Sequence, residues 1–432
     1  MAVKKEVIWL ISSTSLNITS VFLVFIFLAQ LGGQELVGEL AIINIVLSFT
    51  LLLQDSGLSN YFIHRQNLTR SERSSLFFIN ILLGSIATIS VFLLSGWVGD
   101  FYHSENIARC LSIVAFNFIF ISLTSQYQAH FIKNLENTKL AKIEIATKLW
   151  TLICMIGLYY LGHPPLDSYI WAVLCSTVFK WVVILYLVPR EWHPRFTFDN
   201  KILSPALSFG GYQMGSQVLN QFRGRLDQVI IGKWLGTDAL GLYTIAKELV
   251  LQPNKLISPL ISRIILPRLA KNQSNDDEFS KVFSNSNNYI LIFNTFIFVL
   301  MTVCLYFLIP ILYGDDFSSA FDLFIIMVVI GMVRPLGSIF GALAQSKGRS
   351  KIEFKWNILS FVVVSCFMFI ATFFKDILTY AVLMSAAQVM LSSYAVFFFS
   401  RNLIQLDYRA HLLRIGSILS TYLLLQIVFF YW

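Results

Sequence analysis

Charge is scarce in this sequence: Asp, Glu, Lys and Arg make up 13% of its 432 residues, against 56% hydrophobic residues. A soluble domain carries about twice that charge, so an ordinary soluble globular protein is excluded. Polar stretches are short as well. The longest runs from about Pro267 to Asn288, too little chain for a globular domain, which excludes chemistry in an appended soluble domain. The phosphate-cradling GxxxxGKS/T, the zinc-binding HExxH and the nucleophile-bearing GxSxG are all missing. ATP hydrolysis through a P-loop therefore has no residues to run on, and zincin or α/β-hydrolase chemistry has none either. Histidines 64, 103, 130, 163, 193 and 411 lie at or near predicted membrane interfaces without clustering, and no metal, cofactor or enzymatic activity is expected. Cys110, Cys154, Cys175, Cys304 and Cys366 stand singly in apolar segments with no CxxC. They read as small core residues rather than disulfide partners or metal ligands. After Lys4 and Lys5 comes a long apolar run with no convincing small-residue cleavage site beyond Ala29, so the first helix is expected to be retained.

What is present is hydrocarbon. The mean hydropathy is +0.69, and a window of about 20 mainly apolar residues, enough to span a bilayer, recurs from Val7 to Trp432. Spans are predicted at 7–30, 36–54, 76–98, 107–130, 143–162, 168–188, 204–231, 239–262, 285–312, 320–345, 353–374, 377–400 and 411–431. The apolar runs are continuous rather than alternating at period two, which argues for helices and against a transmembrane β-barrel.

The net charge is +8, a balance that in a soluble protein raises the question of nucleic acid. Here the bases sort by loop. With the N-terminus inside, 23 of the 32 Lys and Arg fall in cytoplasmic segments and three, Arg109, Lys233 and Lys375, on the other side. That asymmetry is a positive-inside signal, lost if one helix is added or missed. It predicts a cytoplasmic N-terminus, an inner-membrane location and membrane lipids, not nucleic acid, as the surroundings.

The segment from Val188 to Asp199 holds two prolines, three bases and three aromatics, which suits a chain lying along the cytoplasmic interface. It divides the chain into a six-helix lobe over 1–188, a linker over 189–203, a second six-helix lobe over 204–400 and an additional helix over 401–432. An offset of 203 residues places Gly33, Glu35 and Gly38 on Gly236, Asp238 and Gly241, and Thr14, Asn17 and Ser20 on Gln217, Asn220 and Arg223. Parallel repeats of this kind are a transporter architecture.

The other six cations, Lys180, Arg223, Arg225, Lys247, Lys255 and Arg334, fall within spans. A charge in a bilayer is costly unless it faces water or a partner, so each is a candidate for holding an anionic substrate. The other reading is a long side chain snorkelling to the interface, open above all for Arg223, Arg225 and Lys247. Gln213, Gln217, Asn220, Arg223 and Asp227 are spaced four, three, three and four apart. That spacing puts them on one face over about 21 Å of helix. Such a stripe either lines water or hydrogen-bonds neighbouring helices, and Asn17 belongs to a shorter counterpart on the first helix. Asp227 lies one turn beyond Arg223 and is either an ion-coupling acid or half of a static ion pair. Gly211-x-x-x-Gly215, Gly232-x-x-x-Gly236 and Gly337-x-x-x-Gly341 are expected to allow close helix approach. Pro253, Pro259 and Pro335 interrupt helical patterns, with Arg334 directly before Pro335.

The stretch from Arg225 through Gly232, Gly236, Gly241, Tyr243 and Ala246 resembles the polysaccharide transporters of the multidrug/oligosaccharidyl-lipid/polysaccharide flippase superfamily. The similarity continues through Pro253 and Pro259 to Arg263, Pro267 and Lys271. Asp55-Ser-Gly57-Leu-Ser-Asn60, followed by Arg65, is similar to the end of the second helix in the same group. The resemblance implies an all-α fold of two pseudo-symmetric six-helix bundles with a V-shaped central cavity and alternating access. It also implies export of undecaprenyl-pyrophosphate-linked oligosaccharide repeat units for O-antigen, capsule or exopolysaccharide, alongside a polysaccharide polymerase and a chain-length regulator. The thirteenth apolar segment departs from the twelve-helix core. A multidrug antiporter and a membrane-embedded glycosyltransferase or polymerase are the alternatives. The first is disfavoured by the excess of embedded cations over embedded acids, the second by outer loops of no more than roughly a dozen residues.

Overall fold

The computed structural model describes residues 2–430 apart from 55–56, 65–67, 135, 198, 200–201, 203, 206–217, 219–220, 223, 262–264, 273–274 and 404–406. The described residues are helical, with no strand among them. They run as α1 (Ala2–Gln54), α2 (Gly57–His64), α3 (Arg70–Tyr102), α4 (Glu105–Lys133), α5 (Asn137–Tyr160) and α6 (Pro165–Leu187). After a 3₁₀ turn at Arg190–Trp192 come α7, helical over residues 224–234, and α8 (Thr237–Leu260). The series ends with α9 (Leu266–Lys271), α10 (Asp276–Tyr313), α11 (Ser318–Ser346), α12 (Ser350–Thr372), α13 (Ile377–Asn402) and α14 (Tyr408–Phe430).

Among the described residues, nine helices are long and apolar enough to cross a membrane. One of them is α1, which holds two of the expected spans end to end, broken at Gly33 where φ is +65°, a backbone region open to glycine at little cost. The expected thirteenth helix is present as α14. It packs on its neighbours through polar bonds: Arg414 Nη2 donates to Ser284 Oγ (2.6 Å) and Nε to Asn288 Oδ1 (2.5 Å), while Tyr422 and Gln426 donate to the Ile326 and Ile325 carbonyls (3.3 and 2.9 Å). Helix starts are capped as the sequence dictates. Thr69 and Glu72 form a reciprocal capping box on α3, and Asn275 and Asp376 cap α10 and α13, each satisfying backbone amides that the first turn leaves open.

The chain forms two compact units, Met1–Lys233 and Trp234–Trp432. In the first, α3 packs along α4 and α5 along α6, with α1 against α4 and α5. In the second, α11 is central. Some 78% of its most apolar stretch is buried, against 22% in α10 and α12, and α8, α10 and α13 surround it. Phe340 of α11 stacks on Phe399 of α13 with ring centroids 5.1 Å apart.

Outward-facing apolar residues recur at helical spacing. Leu82, Ile86, Ile89, Leu93 and Trp97 of α3 are exposed, as are Tyr289, Phe293, Phe296, Leu300, Phe307 and Ile311 of α10. In water such stripes would aggregate; here they are the surface offered to lipid acyl chains. The chain is a multi-pass membrane protein.

Two expectations are corrected. Cys175, Cys304 and Cys366 are exposed, and only Cys110 is buried, so the cysteines are not uniformly core residues. Nor are both glycines of the 337/341 pair closely approached: a Cβ on Gly341 would lie 3.3 Å from Glu353 Oε1 of α12. A Cβ on Gly337 would meet nothing within 4 Å, and one on Gly236 would meet nothing either, that residue being a turn glycine with φ +92°. Gly211 and Gly215 lie outside the described residues. Close approach occurs elsewhere: a Cβ at Gly84 would sit 1.9 Å from Ser122 Oγ, and one at Gly99 2.6 Å from the Ala108 Cβ, both between α3 and α4.

Candidate functional site

The second unit organises its polar groups around α11. Pro335 has no N–H, so the carbonyl four residues earlier, at Gly331, loses its helical donor. Asn294 of α10, fully buried, replaces it: Nδ2 donates to the Gly331 and Met332 carbonyls, each at 3.0 Å. Gly331 lets α10 come that near, since a Cβ there would lie 2.2 Å from the Phe298 ring. The helix is thereby held at the proline rather than left loose. Asn294→Leu should leave those carbonyls unsatisfied and cost about 1–2 kcal/mol, read as a lower thermal midpoint in detergent. In a Pro335→Ala background the restored amide can serve Gly331, and the same substitution should cost measurably less.

Arg334 directly precedes Pro335 and is exposed, although both flanking residues are buried. Ser338 and Gln345 are exposed on the same side of α11, at spacings of four and seven residues, so the most enclosed helix of the unit keeps one open polar face. At the end of that face Gln345 Nε2 donates to both carboxylate oxygens of Glu353 at 3.1 Å.

On α8, Lys255 is not an isolated charge. Its ammonium lies 3.3 Å from Glu248 Oε2, which also accepts from Gln252 Nε2 at 3.3 Å. The three residues share a face two turns long. Lys247 is half-buried, its ammonium 5.9 Å from the Tyr243 ring centroid.

In the first unit, α7 carries Arg225 and Asp227. Arg225 Nη1 donates to Gln228 Oε1 at 2.9 Å, and Asp227, 5% exposed, accepts the Gln228 N–H on Oδ1 at 2.9 Å. The chain is tied to its unit just before and at the end of this helix, with Gln221 Nε2 donating to the Ser48 carbonyl (3.1 Å) and Lys233 to the Phe101 carbonyl (2.6 Å). Lys180 is half-buried on α6. Thr14 and Asn17 are exposed on α1, while the Ser20 hydroxyl turns back to the Asn17 carbonyl at 2.8 Å and is buried. Gln213, Gln217, Asn220 and Arg223 lie outside the described residues.

This distribution of polar groups in an apolar helical chain meets a matching sequence pattern. Residues 27–322 match the model of a family described as polysaccharide biosynthesis protein. The chain belongs to that family. Amylovoran biosynthesis protein AmsL of Erwinia amylovora is 31% identical over 80% of this chain and 89% of its own length. The fold of this family member matches that of the lipid II flippase MurJ in an inward closed conformation, with TM-score 0.75 and 13% identity over 98% and 99% of the two chains. A multidrug resistance MATE family transporter of the MOP superfamily follows at 0.65 and 14%, over 95% and 96%.

Sequence reasoning missed one acid of this family member. Glu39 on α1 is 1% exposed and accepts from the Ser104 hydroxyl and from Asn106 Nδ2 (3.3 Å). Beside it Arg109 pairs with Asp167 at 3.1 Å and donates to Asn106 Oδ1 at 3.0 Å. The signal was available: a carboxylate inside the apolar run Val37-Gly-Glu-Leu-Ala-Ile is an embedded charge by the same rule that picked out the cations.

Proposed function

We propose that this chain is a flippase that carries undecaprenyl-pyrophosphate-linked oligosaccharide repeat units across the bacterial inner membrane, by alternating access, for O-antigen, capsule or exopolysaccharide synthesis. Membership of a polysaccharide biosynthesis family, with the fold of a lipid II flippase, sets the class. The observation that carries the chemistry is Arg334, exposed on the open face of the most enclosed helix in its unit. A guanidinium held there suits a pyrophosphate or acidic sugar, which offers paired oxygens to its fork. Lys180, Arg223, Arg225 and Lys247 are proposed as further contacts of the cargo, with Asn17, Gln213, Gln217 and Asn220 as polar lining. Lys255 joins them as a cation shared with Glu248. The polyprenyl tail stays in lipid.

Deleting the gene and extracting lipid-linked intermediates tests the reading. The expected result is an undecaprenyl-linked oligosaccharide accumulating on the cytoplasmic leaflet; an unchanged pool together with a raised drug sensitivity would favour the antiporter instead.

The N-terminus is proposed to be cytoplasmic, from the sorting of Lys and Arg. A reporter fluorescent only in the cytoplasm should give signal when fused after Asp407 and none after Trp432, and the reverse pair would refute the orientation. The polymerase and chain-length regulator are the proposed consumers of the product. No nucleotide motif is present, so an ion gradient is the proposed drive, with Asp227 as the coupling acid.

A further inference from the structure

At the start of α3 in the first unit, a cleft open to solvent lies between α3, α4 and the interfacial linker. Arg70 and Arg73 stand one turn apart on one wall, with Gln126 and Tyr127 of α4 opposite and Trp192 and His193 of the linker closing the side. The linker is docked rather than draped: the Arg195 and Asp199 amides donate to the Ser74 and Ser75 hydroxyls at 3.0 and 2.8 Å. Trp192 lies 3.7 Å from His130, centroid to centroid, and the Arg73 guanidinium lies 4.0 Å from the Trp192 ring centroid.

The donors in this cleft outnumber its acceptors. Arg70 spends one Nη2 on the His193 carbonyl at 3.3 Å. The Nε atoms of Arg70 and Arg73 are buried without any partner, and so is Nε2 of Gln126, a residue 7% exposed. Among the described residues neither arginine pairs with a carboxylate. Two like charges at i and i+3 repel, and buried donors left unmade are costly. A negatively charged group with several acceptor oxygens, seated in the open part of the cleft, would relieve the repulsion.

We propose that Arg70, Arg73 and Gln126 form a binding site for a phosphate group at head-group level. Tetrahedral phosphate oxygens match two guanidinium forks and an amide, and basic pockets at the cytoplasmic ends of membrane helices recognise anionic head groups. Beside the cleft, Phe196 of the linker is 95% exposed while stacking on Phe78 at 5.2 Å, an apolar surface where an acyl chain would begin. The phosphate therefore comes from a membrane phospholipid or from solution, and occupancy ties the linker to α3 and α4.

The test uses the full chain purified in non-ionic detergent, with binding and thermal midpoint measured against phosphatidylglycerol, phosphatidylcholine and inorganic phosphate. Phosphatidylglycerol should bind and raise the midpoint, and phosphatidylcholine, whose quaternary amine the arginines repel, should do so far less. Inorganic phosphate with equal effect would assign the site to phosphate itself, and phosphate without effect to the lipid head group. Arg70→Gln/Arg73→Gln should weaken binding about a hundredfold, near tenfold for each guanidinium–phosphate hydrogen bond removed. Gln126→Glu, which supplies an internal anion, should abolish the response while raising the unliganded midpoint. Arg349→Gln/Arg401→Gln removes the same charge from the second unit and should leave the response intact. Equal loss in that control, or undiminished binding by the Arg70/Arg73 variant, would overturn the site.

Discussion

Replacing Arg334 with alanine should remove most export at unchanged protein level, lowering the rate at which lipid-linked oligosaccharide reaches the outer leaflet by about ten- to a hundredfold. That range follows from removing a charge-assisted hydrogen bond to the cargo, worth roughly 1.5–3 kcal/mol. Arg334→Lys keeps the charge but not the fork, and should retain partial export. Arg334 is exposed, and the carbonyls that Pro335 affects beside it are held by Asn294. A fold defect would show first in the thermal midpoint, where Asn294→Leu gives the comparison. Full export by Arg334→Ala would remove the residue from the cargo's path.

Asp227→Asn should abolish the response of reconstituted transport to an imposed ion gradient. Asp227 is 5% exposed and accepts the Gln228 amide. The coupling proposed for Asp227 requires that the acid exchange partners between two states of the transporter. The competing reading is a static pair with Arg223, for which the single variant leaves the cation without its partner. The double variant Arg223→Gln/Asp227→Asn separates the two. Under the coupling reading it folds, binds cargo and still ignores the gradient. Recovery of gradient-driven transport by the double variant would end the proposal, since only a structural pair can be replaced by two neutral residues without loss of coupling.

The sequence alone determined which runs of chain are long and apolar enough to cross a bilayer. Most of the expected spans are described as helices long and apolar enough for the hydrocarbon core, the break inside α1 falls at Gly33 between two of them, and the aromatic, proline-bearing segment after Val188 follows α6. These features are local, because hydropathy and backbone preference act on neighbouring residues. Which side of each helix faces protein is not local. Lipid and protein interior are equally apolar to a side chain, so Cys110 and Cys304 read alike although one is buried and the other exposed. For the same reason the spacing of Gly337 and Gly341 suggested two close approaches where only Gly341 has a near neighbour, the Glu353 carboxylate, while Gly84, Gly99 and Gly331 make tighter ones. Tertiary structure decided every partner: Asn294 for the carbonyl that Pro335 orphans, Ser104 and Asn106 for Glu39, and the linker's Trp192 for Arg73, 119 residues away in sequence. Each of these is a polar group whose cost in an apolar medium is met by a donor, acceptor or ring from a distant segment, and only folding brings such segments together.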